Sequence, residues 1–362
     1  MKLKSLIMFS AALMTFAACS NEEDVNGGIK GDATVTVNIQ DAVTRAIGTS
    51  MTGNNGKTFP VVIESGTLTL TLAEGEPLTE DLKDYTWGDD IVFSNVRNPQ
   101  SIKVEINGGV AEGQMDMTAD IIQSELAEPL YAETDQFTVN GNNYSVSLTP
   151  NHRLARLQFS GIKHVDDGEC SYSSLTFDGL YLNGVRISEK NNDVLEENTA
   201  GEAWTNVTKW SLPFFDWAVY NEGTGESSVV VPAGDVTEWP TADCYAYNIL
   251  PAAEGELPIL TLCFSNAVQP GVTVVDDTKT RYASVAKYLL DTSKNGDVTL
   301  GEEAGVKDNE IVAFKAGYIY NITSLTFDDD NLGFTPDGEI GTFTATVTVT
   351  PWTLVNGKVE WN

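Results

Sequence analysis

Strict alternation of apolar and polar residues marks both ends of the 362-residue chain. Near the start, one side of the alternation consists of Ala33, Val35, Val37 and Ile39. Threonine and asparagine occupy the positions between them. A period of two with β-branched residues predicts a half-buried β-strand.

A second copy of the pattern closes the chain. Its apolar members are Phe343, Ala345, Val347 and Val349, which alternate with threonine before a Pro-Trp pair. Because the two strands carry the same apolar stripe, either one suits a groove between two neighbouring strands. The sequence therefore predicts a displaceable first strand and a C-terminal donor strand that replaces it in another subunit.

Short apolar runs separated by Gly, Pro and Asn turn signals fill the chain between these ends. The predicted strands are 59–63, 67–72, 91–96, 101–106, 137–139, 144–148, 154–162, 175–182, 228–231, 244–250, 257–264, 285–290, 311–314, 318–327 and 343–349. Many short strands at intervals of roughly 8–12 residues are typical of all-β sandwiches. We expect two such domains, 46–149 and 150–362.

Some local signals predict how neighbouring strands are joined. The Asn-Gly-Asn-Asn stretch 140–143 predicts a hairpin between its flanking strands. The strands 91–96 and 101–106 are predicted to form a second hairpin around Arg97-Asn98-Pro99, and one helical turn is expected after Thr79.

The first 19 residues have the features of an export signal. Lys2 and Lys4 precede a short apolar stretch that ends at Ala18, and this stretch is too short to span a membrane. Small residues followed by Cys19 resemble the lipobox of bacterial lipoproteins, in which the cysteine is acylated. The prediction is a signal peptide over 1–19 and a lipid anchor, such as palmitate, at Cys19 in the outer membrane.

A cleavage site is expected between Arg45 and Ala46. Arg45 follows the first strand and opens a run rich in Gly, Asn and Ser, the kind of segment that proteases reach easily. Cutting there removes the propeptide 20–45 together with the first strand.

Composition excludes some classes of partner and of chemistry. A formal net charge of −31 disfavours binding to nucleic acid or to anionic lipid headgroups. Beyond Cys19, three cysteines remain (Cys170, Cys244 and Cys263), an odd number that rules out a disulfide scaffold and favours buried thiols.

No catalytic or cofactor motif is evident. Neither His152 nor His164 belongs to a metal-ligand pattern, so the sequence predicts no catalytic residue, no metal and no cofactor. One alternative is a calcium loop over Asp291–Glu302, where the spacing fits but a hairpin turn fits as well. Another is sugar stacking by Trp204, Trp210, Trp217 and Trp239, for which core packing is the competing interpretation.

Several motifs together resemble the fimbrillin family of type V pilus subunits. They are the lipobox-like Cys19, the Thr44-Arg45-Ala46 junction, and the segments IVFSNVRNPQSIKVEING, LTPNHRLARLQFSGI, FKAGYIYNITSLTF and VTVTPW. The likeness is spread over nearly the whole chain.

The resemblance implies a tandem of transthyretin-like Greek-key β-sandwiches and a lipid-anchored precursor. It also implies cleavage by an arginine-specific surface protease and polymerisation with other pilus subunits by donor-strand exchange, with the donor beginning near Thr342. The expected role is a shaft-type, non-enzymatic subunit of a cell-surface fimbrium that supports adhesion and biofilm formation. The alternatives are a tip or accessory adhesin that binds a host or bacterial surface glycan or protein, and a secreted lipoprotein enzyme.

Overall fold

The computed structural model describes most of the chain between the first and last alternating strands. The described residues are 33–40, 43–45, 58–118, 121, 127–159, 161–166, 168, 170–190, 229–234, 236–238, 245–271, 280–291, 300–334 and 342–351. Within them, no helix is both long and apolar enough to cross a membrane.

The described residues of the first part of the chain form eleven strands. They are β1 (Ala33–Ile39), β2 (Val43–Arg45), β3 (Thr58–Pro60), β4 (Gly66–Leu72), β5 (Leu78–Asp81), β6 (Asp90–Val96), β7 (Pro99–Ile106), β8 (Leu130–Thr134), β9 (Thr138–Asn140), β10 (Asn143–Leu148) and β11 (Asn151–His152).

Nine of these strands build a sandwich of two sheets, and β2 and β3 pair with each other apart from it. One sheet has the order β6-β1-β10-β9, and the other has the order β11-β8-β7-β4-β5. Apolar residues of both sheets form one buried cluster, which includes Val35 and Val37 from β1 and Leu68 from β4. Burial of alternate residues on the facing sides is what holds two such sheets together.

In the second part of the chain, the residues that the structure describes form twelve strands. They are β12 (Ala155–Phe159), β13 (Gly161–His164), β14 (Ser174–Asn183), β15 (Val229–Pro232), β16 (Val236–Glu238), β17 (Tyr245–Ile249), β18 (Ile259–Val268), β19 (Arg281–Leu290), β20 (Val306–Lys307), β21 (Glu310–Ile311), β22 (Tyr318–Phe327) and β23 (Thr342–Pro351).

One continuous sheet runs through this part in the order β15-β14-β18-β19-β23-β22-β12-β17. Residues from both ends of that path, such as Leu175 on β14 and Leu157 on β12, belong to one buried cluster. The sheet therefore folds around a second core. The all-β class predicted from the sequence is confirmed, and the Greek-key detail stays a prediction.

Some local expectations were wrong. The strands β6 and β7 are not a hairpin, because β6 pairs with β1 while β7 pairs with β4 and β8 in the other sheet. The residues after Thr79 continue strand β5 and form no helical turn. The predicted strand 154–162 is divided into β12 and β13, which pair with different halves of β22. The hairpin of β9 and β10 is present as predicted.

The two cores are separated in sequence between Leu148 and Leu154, with one exception. Met115 and Met117, from the first part, are buried in the second core. The amide of Met117 donates to the carbonyl of Ile187 over 2.8 Å. This segment therefore ties the first part of the chain to the second, which the predicted boundary at 149/150 does not anticipate.

A buried ionic cluster lies at the same junction. Glu128 receives a hydrogen bond from Arg156 at 2.9 Å, and its other carboxylate oxygen lies 2.8 Å from His152 Nδ1. All three side chains are at most 3% exposed. Removal of one partner from such a cluster leaves a buried charge uncompensated, so the cluster favours one arrangement of the junction.

Candidate functional site

Strand β1 occupies the middle of its sheet and is paired along both edges. It runs antiparallel to β6 and parallel to β10. At its centre, Val37 lies opposite Ile91 on β6 and Val146 on β10. Each edge of β1 therefore belongs to a backbone ladder, and we define the space between β6 and β10 as the β1 slot.

The side chains of β1 follow the alternation predicted from the sequence. One face is buried at 2% exposure or less and consists of Ala33, Val35, Val37 and Ile39. The other face, with Thr34 to Gln40 at every second position, is half-buried. The predicted strand and its inward face are confirmed.

Further hydrogen bonds hold the C-terminal end of β1 in its slot. The amide of Gln40 donates to the carbonyl of Leu148 at 2.8 Å, and the side-chain amide of Asn38 donates to the carbonyl of Gly88 at 2.7 Å. The Tyr85 hydroxyl lies 3.4 Å from the carbonyl oxygen of Ile39. Sequence reasoning missed Tyr85, because its contact with β1 spans 46 residues and leaves no local pattern.

Removal of β1 would open an apolar groove inside the sheet, between β6 and β10, and would not merely shorten the edge of the sheet. Burial of a large aliphatic side chain contributes about 1.5–3 kcal/mol, and β1 buries Val35, Val37 and Ile39 completely. The facing edges of β6 and β10 would also lose their ladder partners. An emptied slot of this kind is a template for another extended strand.

The predicted cleavage residue lies just beyond β1. Arg45 is the last residue of β2 and pairs with Thr58 of β3. The arginine is thus at the end of a short two-stranded ribbon, where the sequence had suggested an open loop. Ala46 and Cys19 lie outside the described residues, and the cleavage and lipidation assignments stay predictions.

Strand β23 occupies a comparable place in the second sheet. It runs parallel to β19 and antiparallel to β22. Ala345 and Val347 are fully buried, and Val347 lies opposite Leu290 and Ile322. The predicted strand is therefore present. The side chains of Phe343 and Val349 are not among those that the structure describes.

This position has a consequence for the predicted donor. Because β23 completes two ladders of its own sheet, it can enter another subunit only by leaving both. The amide of Asp291 also donates to the carbonyl of Val347 at 2.7 Å. The free energy that β23 gains by binding in the β1 slot of another subunit must therefore offset the similar free energy that it loses by leaving its own sheet.

Other candidate residues from the sequence are distributed as follows. His152 belongs to the buried cluster at the junction, and His164 contacts Asp329. Neither Cys170 nor Cys263 forms a disulfide. Cys244, the four tryptophans considered for sugar stacking and most of the calcium-loop candidate lie outside the described residues.

Comparison with known proteins gives structural neighbours only. No family model matches the chain, and no curated protein matches it. A fimbrilin (FimA) from Porphyromonas gingivalis is similar over 90% of this chain and 99% of its own, with 15% identity and a TM-score of 0.47. A candidate cell adhesion protein from Bacteroides eggerthii is similar over 88% and 95%, with 12% identity and a TM-score of 0.46.

A third neighbour is the tip fimbrial protein Mfa3 from P. gingivalis with a C-terminal truncation. It is similar over 89% of this chain and 100% of its own, with 10% identity and a TM-score of 0.39. One of these neighbours is named a fimbrilin, one a tip fimbrial protein and one a cell adhesion protein. With TM-scores below 0.5 and identities of at most 15%, these similarities assign no function to the chain.

Proposed function

We propose that the protein is a structural subunit of a cell-surface pilus whose first strand is a placeholder. In this proposal it is exported as a lipoprotein acylated at Cys19 and anchored in the outer membrane. A protease then cuts between Arg45 and Ala46, and β1 gives up its slot to a strand of another subunit.

One observation supports this proposal above the others. Strand β1 is central and buried, yet the chain reaches a basic residue at Arg45, six positions after Ile39. A central strand is an unusual segment to place next to a candidate cleavage site, since its loss opens a core. That placement suits a strand whose removal is part of assembly.

Strand insertion also accounts for association despite the charge. A chain with a net charge of −31 repels its own copies in solution. Refilling the β1 slot buries several aliphatic side chains and restores two ladders, each hydrogen bond adding a net of about 1 kcal/mol. Such burial is short-ranged and survives the long-range repulsion.

The donor in the shaft-type form of the proposal is β23 of a neighbouring subunit. Its residues repeat the apolar stripe of β1, so the buried positions Val35 and Val37 would be replaced by Ala345 and Val347. Polymerisation in this form requires that β23 leaves its place between β19 and β22.

The position of β23 also favours a second candidate role. A subunit whose last described strand stays in its own sheet would accept a strand without giving one. It would then occupy the tip of a pilus, or act as an accessory adhesin, with its remaining surface available to a glycan or protein ligand. In both roles the β1 slot accepts a strand of another subunit, and the roles differ only in whether β23 is donated to a further subunit.

Cleavage and assembly of the exported chain test the proposal. Wild-type chain treated with an arginine-specific protease is expected to begin at Ala46, and Arg45→Ala is expected to stay uncut and monomeric. Detergent-resistant ladders of cut chain alone indicate the shaft role, whereas ladders that need another pilus subunit indicate the tip role. Polymers formed by uncut Arg45→Ala would contradict the proposal.

A further inference from the structure

A cluster of three different metal-binding side chains lies at one end of the second core. The members are His164, at the end of β13, Cys170, in the following loop, and Asp329, in a short 3₁₀ turn after β22. One ligand atom from each lies within 4.8 Å of the others. The cluster is distant in sequence from the β1 slot and has no part in the function proposed above.

The ligand atoms are held by their surroundings. His164 is fully buried, and its Nε2 donates to Asp329 Oδ1 at 2.8 Å. The imidazole stacks on Phe327, with ring centroids 5.2 Å apart and planes 6° apart. Asp329 Oδ2 accepts from the backbone amides of Ser171 and Tyr172. Imidazole and carboxylate are therefore fixed before any ion arrives.

The thiol lies on the open side of the cluster. Cys170 is half-buried, and its Sγ donates to the carbonyl of Val165 at 3.1 Å. The exposed carboxylate of Asp166 has an oxygen 3.7 Å from the same sulfur. This side gives an ion a path from solvent, and a small movement of the Asp166 side chain would add a fourth ligand atom to the three of the cluster.

One buried nitrogen of the cluster has no hydrogen-bond partner within the described part of the protein. His164 Nδ1 is inaccessible and makes no hydrogen bond to any described group. The hydrogen bond to Asp329 satisfies Nε2 alone, and burying the unpaired Nδ1 costs free energy whether a proton or an ion lies at Nε2.

From this arrangement we propose that His164, Cys170 and Asp329 bind one zinc ion, with Asp166 as the fourth ligand. Zinc takes imidazole, thiolate and carboxylate ligands in a tetrahedron, with bonds of about 2.0–2.3 Å. Neighbouring ligand atoms in such a site are about 3.2–3.7 Å apart. The 2.8 Å between His164 Nε2 and Asp329 Oδ1 must therefore widen, and the thiol, which lies within 4.8 Å, moves closer. The ion replaces the proton between His164 and Asp329 and displaces the thiol proton to solvent.

The chemistry of the set selects this kind of cation. A thiolate and an imidazole disfavour calcium and magnesium, which prefer oxygen ligands, and favour zinc or a similar soft divalent ion. The acidic surroundings, which include Asp328 and Asp330 beside Asp329, raise the local concentration of cations. The sequence predicts no metal here, because Asp329 is 165 residues from His164.

Cobalt titration of the exported full chain, kept reduced with a phosphine, tests the proposal. We expect saturation at one equivalent with a thiolate-to-cobalt charge-transfer absorption, and we expect zinc to displace the cobalt. We expect zinc to raise the melting temperature of the wild-type chain, since it binds the folded state.

Two substitutions localise the site without removing the buried histidine. Cys170→Ser should abolish the charge-transfer absorption, and the matched control Cys263→Ser should keep it. Asp329→Asn keeps an acceptor for the amides of Ser171 and Tyr172 and should weaken zinc binding by about tenfold or more, since loss of even a supporting residue costs about 10–100-fold. A folded wild-type chain without the absorption, or an absorption that survives Cys170→Ser, would overturn the assignment.

Discussion

Val37 and Val347 occupy equivalent positions in the two halves of the protein. Each is completely buried, and each lies in a strand with one parallel and one antiparallel neighbour. Val37 lies between Val146 and Ile91, and Val347 lies between Leu290 and Ile322. Each strand therefore places a buried valine between one parallel and one antiparallel neighbour, which is the similarity that the proposed strand exchange requires.

The first prediction concerns the core of the β1 slot. Val37→Asp should destabilise the uncut chain by about 3 kcal/mol or more, because it buries an unpaired charge where a fully buried side chain packs. Thr36→Asp, on the half-buried opposite face of β1, is the matched control and should cost much less. Urea unfolding of both variants measures the difference, and equal losses would contradict the inward facing of Val37.

The second prediction concerns the ionic cluster at the junction. Glu128→Gln should cost about 3–5 kcal/mol in the free energy of unfolding, since the buried guanidinium of Arg156 loses its compensating charge. The control is Glu254→Gln, which removes an exposed pair with Lys307 at 3.4 Å and should change stability by about 0–1 kcal/mol. A similar effect of the two substitutions would show that the cluster is not a structural element of the junction.

The third prediction is a pH dependence at Asp178. Burial raises the pKa of this carboxyl above its usual 3.8, although a hydrogen bond from Ser265 at 3.0 Å opposes the shift. With a folded-state pKa above the unfolded one, the contribution of Asp178 to stability is greatest at acidic pH and is lost as pH rises through the folded pKa. Asp178→Asn removes that loss and should melt at a higher temperature than wild type near neutral pH.

This difference in melting temperature should shrink as the pH is lowered to below 3.8, where the wild-type carboxyl is neutral as well. Asp135→Asn, at an exposed position, is the control and should give no comparable gain at neutral pH. A gain at Asp178 that persists unchanged in acid would indicate a cause other than the cost of burying the charge.

Patterns within one strand were predictable, and pairings between distant strands were not. The alternation of residues 33–40 was sufficient to predict both β1 and its buried face, because the period of two is a local property. The separation of β6 from β7 was missed, because a short connection between two strands suggests a hairpin and carries no information on which sheet each strand joins. The partners of β23 were missed because the sequence of a strand does not indicate which other strands it pairs with.

Contacts over long sequence distances account for most of the other omissions. Tyr85 reaches β1 over 46 residues, and Arg156 reaches Glu128 over 28. Such pairs leave no spacing to recognise in a single sequence. The residues at each end look like ordinary loop or strand residues until the fold brings them together.

Exchange of a peptide into the β1 slot is the most direct test of the proposed function. The exported chain, cut after Arg45, is mixed with a peptide of the sequence 342–351, and native mass spectrometry measures which segment it retains. We predict that the peptide replaces the fragment that carries β1, that its Val347→Asp version does not, and that uncut Arg45→Ala retains neither peptide. Retention of the original fragment by the cut chain, or equal retention of both peptides, would contradict the account.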